Sequence, residues 1–89
     1  MKSAVSPKYL THCSSSALPN APGVVLIIRK SNGRYEYVDH MKCDNIRNKV
    51  DSLSGQRSHA YDGELTYWIC TDPAQIEKAW KEAVSISRL

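Results

Sequence analysis

The sequence has no phenylalanine, and its longest apolar run, Val24–Ile28, is far shorter than a membrane span. A transmembrane helix needs about 20 apolar residues, so we expect no segment that crosses a bilayer. The first residues, MKSAVSPK, also lack the apolar region of a secretion signal, which predicts a cytoplasmic protein. Aromatic packing must come from Trp68, Trp80 and the five tyrosines.

Cysteine is scarce, and its spacing supports no shared role. The three cysteines, Cys13, Cys43 and Cys70, are odd in number and include no CxxC pair. A structural zinc site and a disulfide framework are therefore disfavoured, which is typical of a reducing compartment. Cys70 lies in an apolar run and is expected to be a small buried hydrophobic residue.

The charge balance is only mildly basic. The 89 residues include 12 Lys and Arg against 9 Asp and Glu, a formal net charge of +3. This length predicts one domain. The charge permits contacts with phosphates, but it lies below the strongly basic composition of dedicated nucleic-acid-binding proteins.

The first quarter of the chain differs from the rest in its pattern. Residues 1–22 contain a run of three serines and two prolines that interrupt any periodicity, so we interpret them as an irregular N-terminal arm. Residues 23–89 are expected to form the folded domain. Tyr9 and Leu10 are candidates for packing back onto it.

A β-hairpin is predicted at the start of that domain. The apolar run that follows Gly23 is typical of a buried strand. Ser-Asn-Gly at 31–33 favours a hairpin turn, because Asn and Gly tolerate positive φ. Residues 34–38 form the return strand, in which Tyr35 and Tyr37 share one face because side chains alternate.

A helix is predicted after the hairpin. Asp44 is placed to cap it, and Ile46, Val50 and Leu53 form a narrow apolar stripe along it. Gly55 is placed to end it.

A third strand and a second helix complete the pattern. The strand is expected over Leu65–Cys70, and a helix is expected to start at Asp72-Pro73-Ala74-Gln75, with Asp72 as its cap. The order is then β-β-α-β-α. We therefore predict an α/β domain of the α+β type, in which two helices flank a small antiparallel sheet of three strands.

Four segments in this order resemble those of the GIY-YIG nuclease domain family. They are PGVVLI at 22–27, YEYVD at 35–39, NIRNKV at 45–50 and LTYWICTD at 65–72. The likeness covers residues 22–84. It implies a three-stranded antiparallel sheet flanked by helices. It also implies phosphodiester cleavage by two tyrosines, an arginine and a glutamate that binds a divalent metal.

Only part of that catalytic set is retained. The first family tyrosine falls on Val25, which has no acid or base group. The glycine of the second motif falls on Asp39, whose negative charge would repel a phosphate. Tyr37 matches the second tyrosine, and Tyr35 on the same face is a possible substitute for a missing one.

The arginine and the metal ligand are less closely defined by the resemblance. Arg47 matches the family arginine, but an alternative alignment puts Lys49 there. The glutamate is Glu77 or Glu82. These two lie about 140° apart around a helix, so only one can face a site. Glu77 lies nearer the apolar face and ranks first as the ligand of Mg²⁺, if the site is active.

The altered site favours binding over cleavage. We expect a GIY-YIG-like domain that binds DNA, or another protein, in an accessory or inhibitory role of the kind encoded by phages and mobile elements. His40, Lys42 and Lys49 are the candidate contacts to nucleic acid or a partner. The alternatives are an active, metal-dependent endonuclease and an unrelated α/β interaction domain.

Overall fold

The computed structural model describes residues 7–31, 34–57 and 64–88. Along the chain these residues form β1 (Thr11–Cys13), a short 3-10 turn (Ser15–Ala17), β2 (Gly23–Ser31), β3 (Arg34–Cys43), α1 (Ile46–Arg57), β4 (Glu64–Cys70) and α2 (Ile76–Ser87). The strands form one antiparallel sheet in the order β1-β4-β2-β3. The predicted α+β class, its hairpin and its third strand over residues 65–70 are confirmed.

The sheet has four strands, so the prediction of three was wrong. The extra strand is β1, from the segment expected to be irregular, and it pairs His12 with Trp68 on the edge of β4. Its sequence, Thr-His-Cys, has no alternation that marks a strand. The strand forms because the edge of β4 offers unpaired backbone groups. Leu10 and Leu18, which flank β1, are 4% and 2% exposed and hold the segment against the domain.

Strand β2 lies at the centre of the molecule, and a helix covers each of its faces. Side chains alternate along a strand, so neighbouring residues of β2 enter two separate cores. The core under α2 contains Leu10, Val24, Leu26, Ile28, Cys70, Ala79, Ala83 and Ile86. The core under α1 contains Leu18, Val25, Ile27, Ile46, Val50 and Tyr67. The apolar run at 24–28 is continuous because both of its faces are buried.

The first helix has a different cap and a different end from those predicted. The Asn48 backbone N–H donates to Asn45 Oδ1 at 2.9 Å, so Asn45 caps α1 and Asp44 does not. The helix continues through Gly55 to Arg57. Ile46 and Val50 are buried as predicted, whereas the Leu53 side chain lies outside the described residues.

The second helix begins later than the sequence suggested. Asp72 Oδ1 accepts the Ala74 N–H at 3.0 Å, and the Gln75 N–H donates to the Asp72 carbonyl oxygen at 2.9 Å. These bonds form a turn that precedes α2, which begins at Ile76. Residues 32–33 of the predicted hairpin turn lie outside the described residues.

Candidate functional site

An irregularity in β3 brings two functional side chains together. Ile27 pairs with Asp39, and Ile28 pairs with Tyr37, so Val38 is an extra residue in β3. Such a β-bulge reverses the alternation of side chains beyond it. As a result Tyr37 and His40, three residues apart, both face α2.

Tyr37 and His40 form the first part of a continuous set of side-chain contacts. The Tyr37 hydroxyl and His40 Nδ1 are 2.6 Å apart, which is a hydrogen bond. The His40 ring lies 4.8 Å from the Trp80 ring, centroid to centroid. Two residues further along β3, Lys42 Nζ lies 5.1 Å from the Trp80 ring centroid. We call Tyr37, His40, Lys42 and Trp80 the β3 edge surface.

The β3 edge surface is accessible because β3 is the last strand of the sheet. Lys42 is exposed, and the other three side chains are half-buried. A half-buried aromatic residue packs its ring against the core while part of it stays in contact with solvent. The surface therefore combines aromatic side chains with an ammonium group.

Tyr35 lies on the same side of the sheet, as predicted. Both Tyr35 and Tyr37 pack against the core under α2. Tyr35 lies next to Lys30, whose Nζ is 5.8 Å from its ring centroid. The predicted face shared by the two tyrosines is confirmed, but a role for Tyr35 as a catalytic substitute stays a prediction.

The two predicted lysine contacts meet at one open depression. Its volume is about 430 Å³, and it is lined by Lys42, Cys43, Asp44, Asn45, Asn48, Lys49 and Ser52. Lys49 is exposed there, and the Asp44 carboxylate partly offsets the two ammonium groups. Burial raises the pKa of the Cys43 thiol above its usual 9.0, while Lys49 lowers it and Asp44 raises it. Cys43 is therefore a neutral thiol at pH 7 rather than a reactive thiolate.

Arg47 does not join Tyr37. It lies on α1, which packs on the opposite side of the sheet from α2. Its guanidinium donates from Nε to the Leu18 carbonyl oxygen at 2.8 Å and from Nη2 to the Ser16 carbonyl oxygen at 2.7 Å. The expectation that Tyr37 and Arg47 form one catalytic face is wrong for this fold, because the sheet lies between them.

The two candidate glutamates also have other partners. Glu77 Oε1 accepts a hydrogen bond from Lys42 Nζ at 3.0 Å in an exposed ion pair. Glu82 accepts two backbone N–H groups, from Lys8 and Tyr9, each at 2.8 Å. Within residues 7–31, 34–57 and 64–88 no three His, Cys, Asp or Glu side chains are grouped so as to hold a metal ion.

Sequence reasoning missed the contribution of Trp80. It gave Trp80 only a general role in aromatic packing, whereas the side chain packs against the core under α2 and also contacts His40. The contact with His40 depends on the bulge at Val38, and no local sequence pattern indicates that bulge. The sequence offers one signal. Trp80 directly follows Ala79, and one residue corresponds to about 100° around a helix, so the Trp80 ring lies to one side of the face that carries Ala79.

Comparison of the chain with protein-family models, with curated proteins and with solved structures found no match in any of the three. The GIY-YIG resemblance thus depends on the sequence segments alone. No helix among the described residues has the length and apolar character needed to cross a bilayer.

Proposed function

We propose that this protein is a non-catalytic, GIY-YIG-like domain that binds nucleic acid through the β3 edge surface. The observation that carries the proposal is the contact series from Tyr37 through His40 and Trp80 to Lys42. Aromatic rings beside a cation are what sequence-tolerant binding of single strands requires, because bases stack on rings and ammonium groups attract phosphates.

The depression beside this surface supports the same ligand. Lys42 belongs to both, so a strand that stacks at His40 and Trp80 can continue towards Lys49. The side-chain amides of Asn45 and Asn48 line that path and offer donors and acceptors to base edges or phosphates. The excess of three positive charges over the whole chain favours the approach of a polyanion.

Binding is favoured over cleavage because the side chains that cleavage would need, Arg47 and Glu77, form contacts with other groups of the protein. The Arg47 guanidinium binds two backbone carbonyls on the α1 side of the sheet. The Glu77 carboxylate is paired with Lys42, which belongs to the binding surface itself. Among the described residues, the arginine and the glutamate that the family resemblance selects thus lie away from Tyr37 or have other partners.

The family relationship is part of the proposal. Its support is the order of β2, β3, α1, β4 and α2, with the PGVVLI segment in the central strand. An accessory or inhibitory role in the cytoplasm, of the phage or mobile-element type, is the corresponding biological context. In that role the domain occupies a nucleic acid and thereby competes with other proteins for it.

The test is fluorescence anisotropy with a labelled oligothymidylate of about 12 nucleotides, in parallel with a duplex of the same length. His40→Ala removes the ring between Tyr37 and Trp80, so we expect about tenfold weaker binding of the single strand. His12→Ala is the matched control. His12 also contacts a tryptophan, Trp68, at 5.2 Å between ring centroids, but it lies on the opposite edge strand.

Three outcomes would contradict the proposal. One is equal loss of affinity in His12→Ala and His40→Ala. The second is no binding of either oligonucleotide at low salt, which would favour a protein partner. The third is nicking of a supercoiled plasmid with Mg²⁺ that Tyr37→Phe abolishes, because that result would show an active nuclease.

A further inference from the structure

Two lysines on the outward face of α2, and the arginine that follows its last residue, form a stripe of three cations. With about 100° of rotation per residue, Lys78, Lys81 and Arg88 fall within about 80° of one another. All three are exposed, and they lie opposite the buried side of the helix. We call these three residues the α2 basic stripe.

The two acidic side chains of α2 border the stripe and have partners of their own. Glu77 is paired with Lys42 on the flank towards β3. Glu82 accepts the backbone N–H groups of Lys8 and Tyr9 on the other flank. The α2 basic stripe forms no ion pair with any residue in the described part of the chain. Glu77 and Glu82 lie one helical turn from Lys81 and Lys78 and offset part of their charge. The stripe with Lys8 still has four cations against these two carboxylates.

The N-terminal segment adds a fourth cation beside the stripe. Lys8 Nζ and Lys78 Nζ lie 5.5 and 5.7 Å from the centroid of the same Tyr9 ring. The two Glu82 hydrogen bonds hold this segment against α2, so the position of Lys8 depends on the folded structure. Two ammonium groups at one ring give a local positive potential that a single exposed lysine does not.

We propose that the α2 basic stripe, with Lys8, binds the phosphate backbone of the nucleic acid that the β3 edge surface engages. This inference rests on the proposed function. From Lys78 to Arg88 the stripe spans about 15 Å at a rise of 1.5 Å per residue. One strand carries a phosphate per about 3.4 Å in helical geometry, so several phosphates can face the stripe together. Trp80 and Glu77 lie between the stripe and β3, so one ligand can reach both surfaces.

The inference predicts a specific salt dependence. Each phosphate contact with a single strand contributes about 0.7 to the slope of log K against log salt. The triple variant K78Q/K81Q/R88Q should therefore lower that slope by about 2. Its affinity at low salt should fall by about tenfold or more, while its urea midpoint stays that of the parent, as usual for surface changes.

The experiment is anisotropy with labelled oligothymidylate between about 50 mM and 200 mM salt, using the full chain. Lys30→Gln is the matched control for Lys78→Gln. Both residues are exposed lysines whose Nζ lies near a tyrosine ring, at 5.8 Å for Lys30 and 5.7 Å for Lys78. We expect Lys78→Gln to weaken binding about threefold and Lys30→Gln to leave it unchanged.

The outcomes separate this inference from the proposed function. If His40→Ala weakens binding but the triple variant keeps the parental slope, the stripe is not a phosphate site and the β3 edge surface still is. Equal effects of Lys30→Gln and Lys78→Gln would show that net charge alone acts, which also overturns the inference. Tighter binding of the parent to anionic lipid vesicles than to oligothymidylate would overturn it in favour of a membrane surface. If the parent binds no nucleic acid, the proposed function fails as well.

Discussion

Arg47 on the α1 side of the sheet and the lysines on the α2 side use their charges in opposite ways. On the α1 side Arg47 points at the backbone and binds the carbonyl oxygens of Leu18 and Ser16. On the α2 side the cations Lys42, Lys78 and Lys81 are all exposed. The arginine thus serves the fold, whereas the lysines remain available to a ligand.

The two helices also pack differently against the sheet. The buried face of α2 carries Ala79 and Ala83, both with 0% exposure, and their small side chains let the helix lie close to the sheet. Helix α1 buries Ile46 and Val50, and the segment before β2 packs beside it through Leu18. Because α1 packs beside this segment, the hydrogen bonds from Arg47 to Leu18 and Ser16 stabilise the fold. The comparison shows that the role of a charged residue is indicated by the groups it contacts rather than by its residue type.

The largest expected effect comes from a change at the junction of the two faces. A Cβ on Gly23 would collide with the Cys70 carbonyl oxygen and would lie 3.0 Å from Ile46 Cδ1. Gly23→Ala should therefore push β2 from β4 and loosen α1, with a loss of about 3 kcal/mol in the free energy of unfolding. Urea unfolding measures the loss, and hydrogen exchange should show the α1 amides losing protection before those of α2. A loss below about 0.5 kcal/mol would show that β2 and β4 can move apart to accommodate the added methyl group.

The second prediction separates a structural arginine from a catalytic one. Arg47→Ala removes two charge-assisted hydrogen bonds and should lower the free energy of unfolding by about 2 kcal/mol. Arg47→Lys should recover only part of this loss, because an ammonium cannot reproduce the planar fork. Affinity for oligothymidylate, measured where each variant is folded, should be unchanged. Weaker binding with unchanged stability would return Arg47 to the ligand site.

The local elements of this fold were predictable from sequence, because their patterns are contained within short segments. The apolar run after Gly23 and the alternation of Tyr35 and Tyr37 each need only neighbouring residues. Strand β1 was not predictable in that way. Its Thr-His-Cys sequence pairs with residues 67–69, more than 50 positions away, and only the open edge of β4 determines the pairing.

The candidate site was partly predictable for the same reason. His40 and Lys42 were identified as candidate contacts near Tyr37, but the hydrogen bond between Tyr37 and His40 requires a bulge that no composition rule locates. Arg47 was assigned to catalysis because the family motif selects it, whereas its partners, Leu18 and Ser16, lie in a segment outside that motif. A local sequence pattern does not indicate backbone carbonyl acceptors that lie far away along the chain.

The third prediction compares the two glutamates of α2. Glu82→Gln keeps the shape but loses the charge that holds the Lys8 and Tyr9 N–H groups, and it should cost about 1 kcal/mol of stability. Glu77→Gln is the matched control and should cost less, because the exposed Lys42–Glu77 pair is screened by solvent. Thermal unfolding of both variants tests the ranking. If Glu77→Gln were the more damaging, the ion pair at the β3 edge would be the structural one.

The smallest effect concerns a tyrosine on the α1 side. Burial, and to a lesser degree the negative charge of Asp51, raises the pKa of Tyr67 above its usual 10.0. The folded state thus favours the neutral phenol. The stability that this contributes is complete below the unfolded pKa of about 10 and is lost as the pH rises through the higher folded value.

Tyr67→Phe should therefore make stability fall less steeply above pH of about 10, while changing it little at neutral pH. Asp51→Asn removes only the smaller cause of the raised pKa, so its effect on the slope should have the same sign and be weaker. Urea unfolding across this alkaline range measures both slopes. A Tyr67→Phe slope equal to that of the parent would show that the phenol is solvated in the folded state. The α1 side would then be more open than its buried core residues indicate.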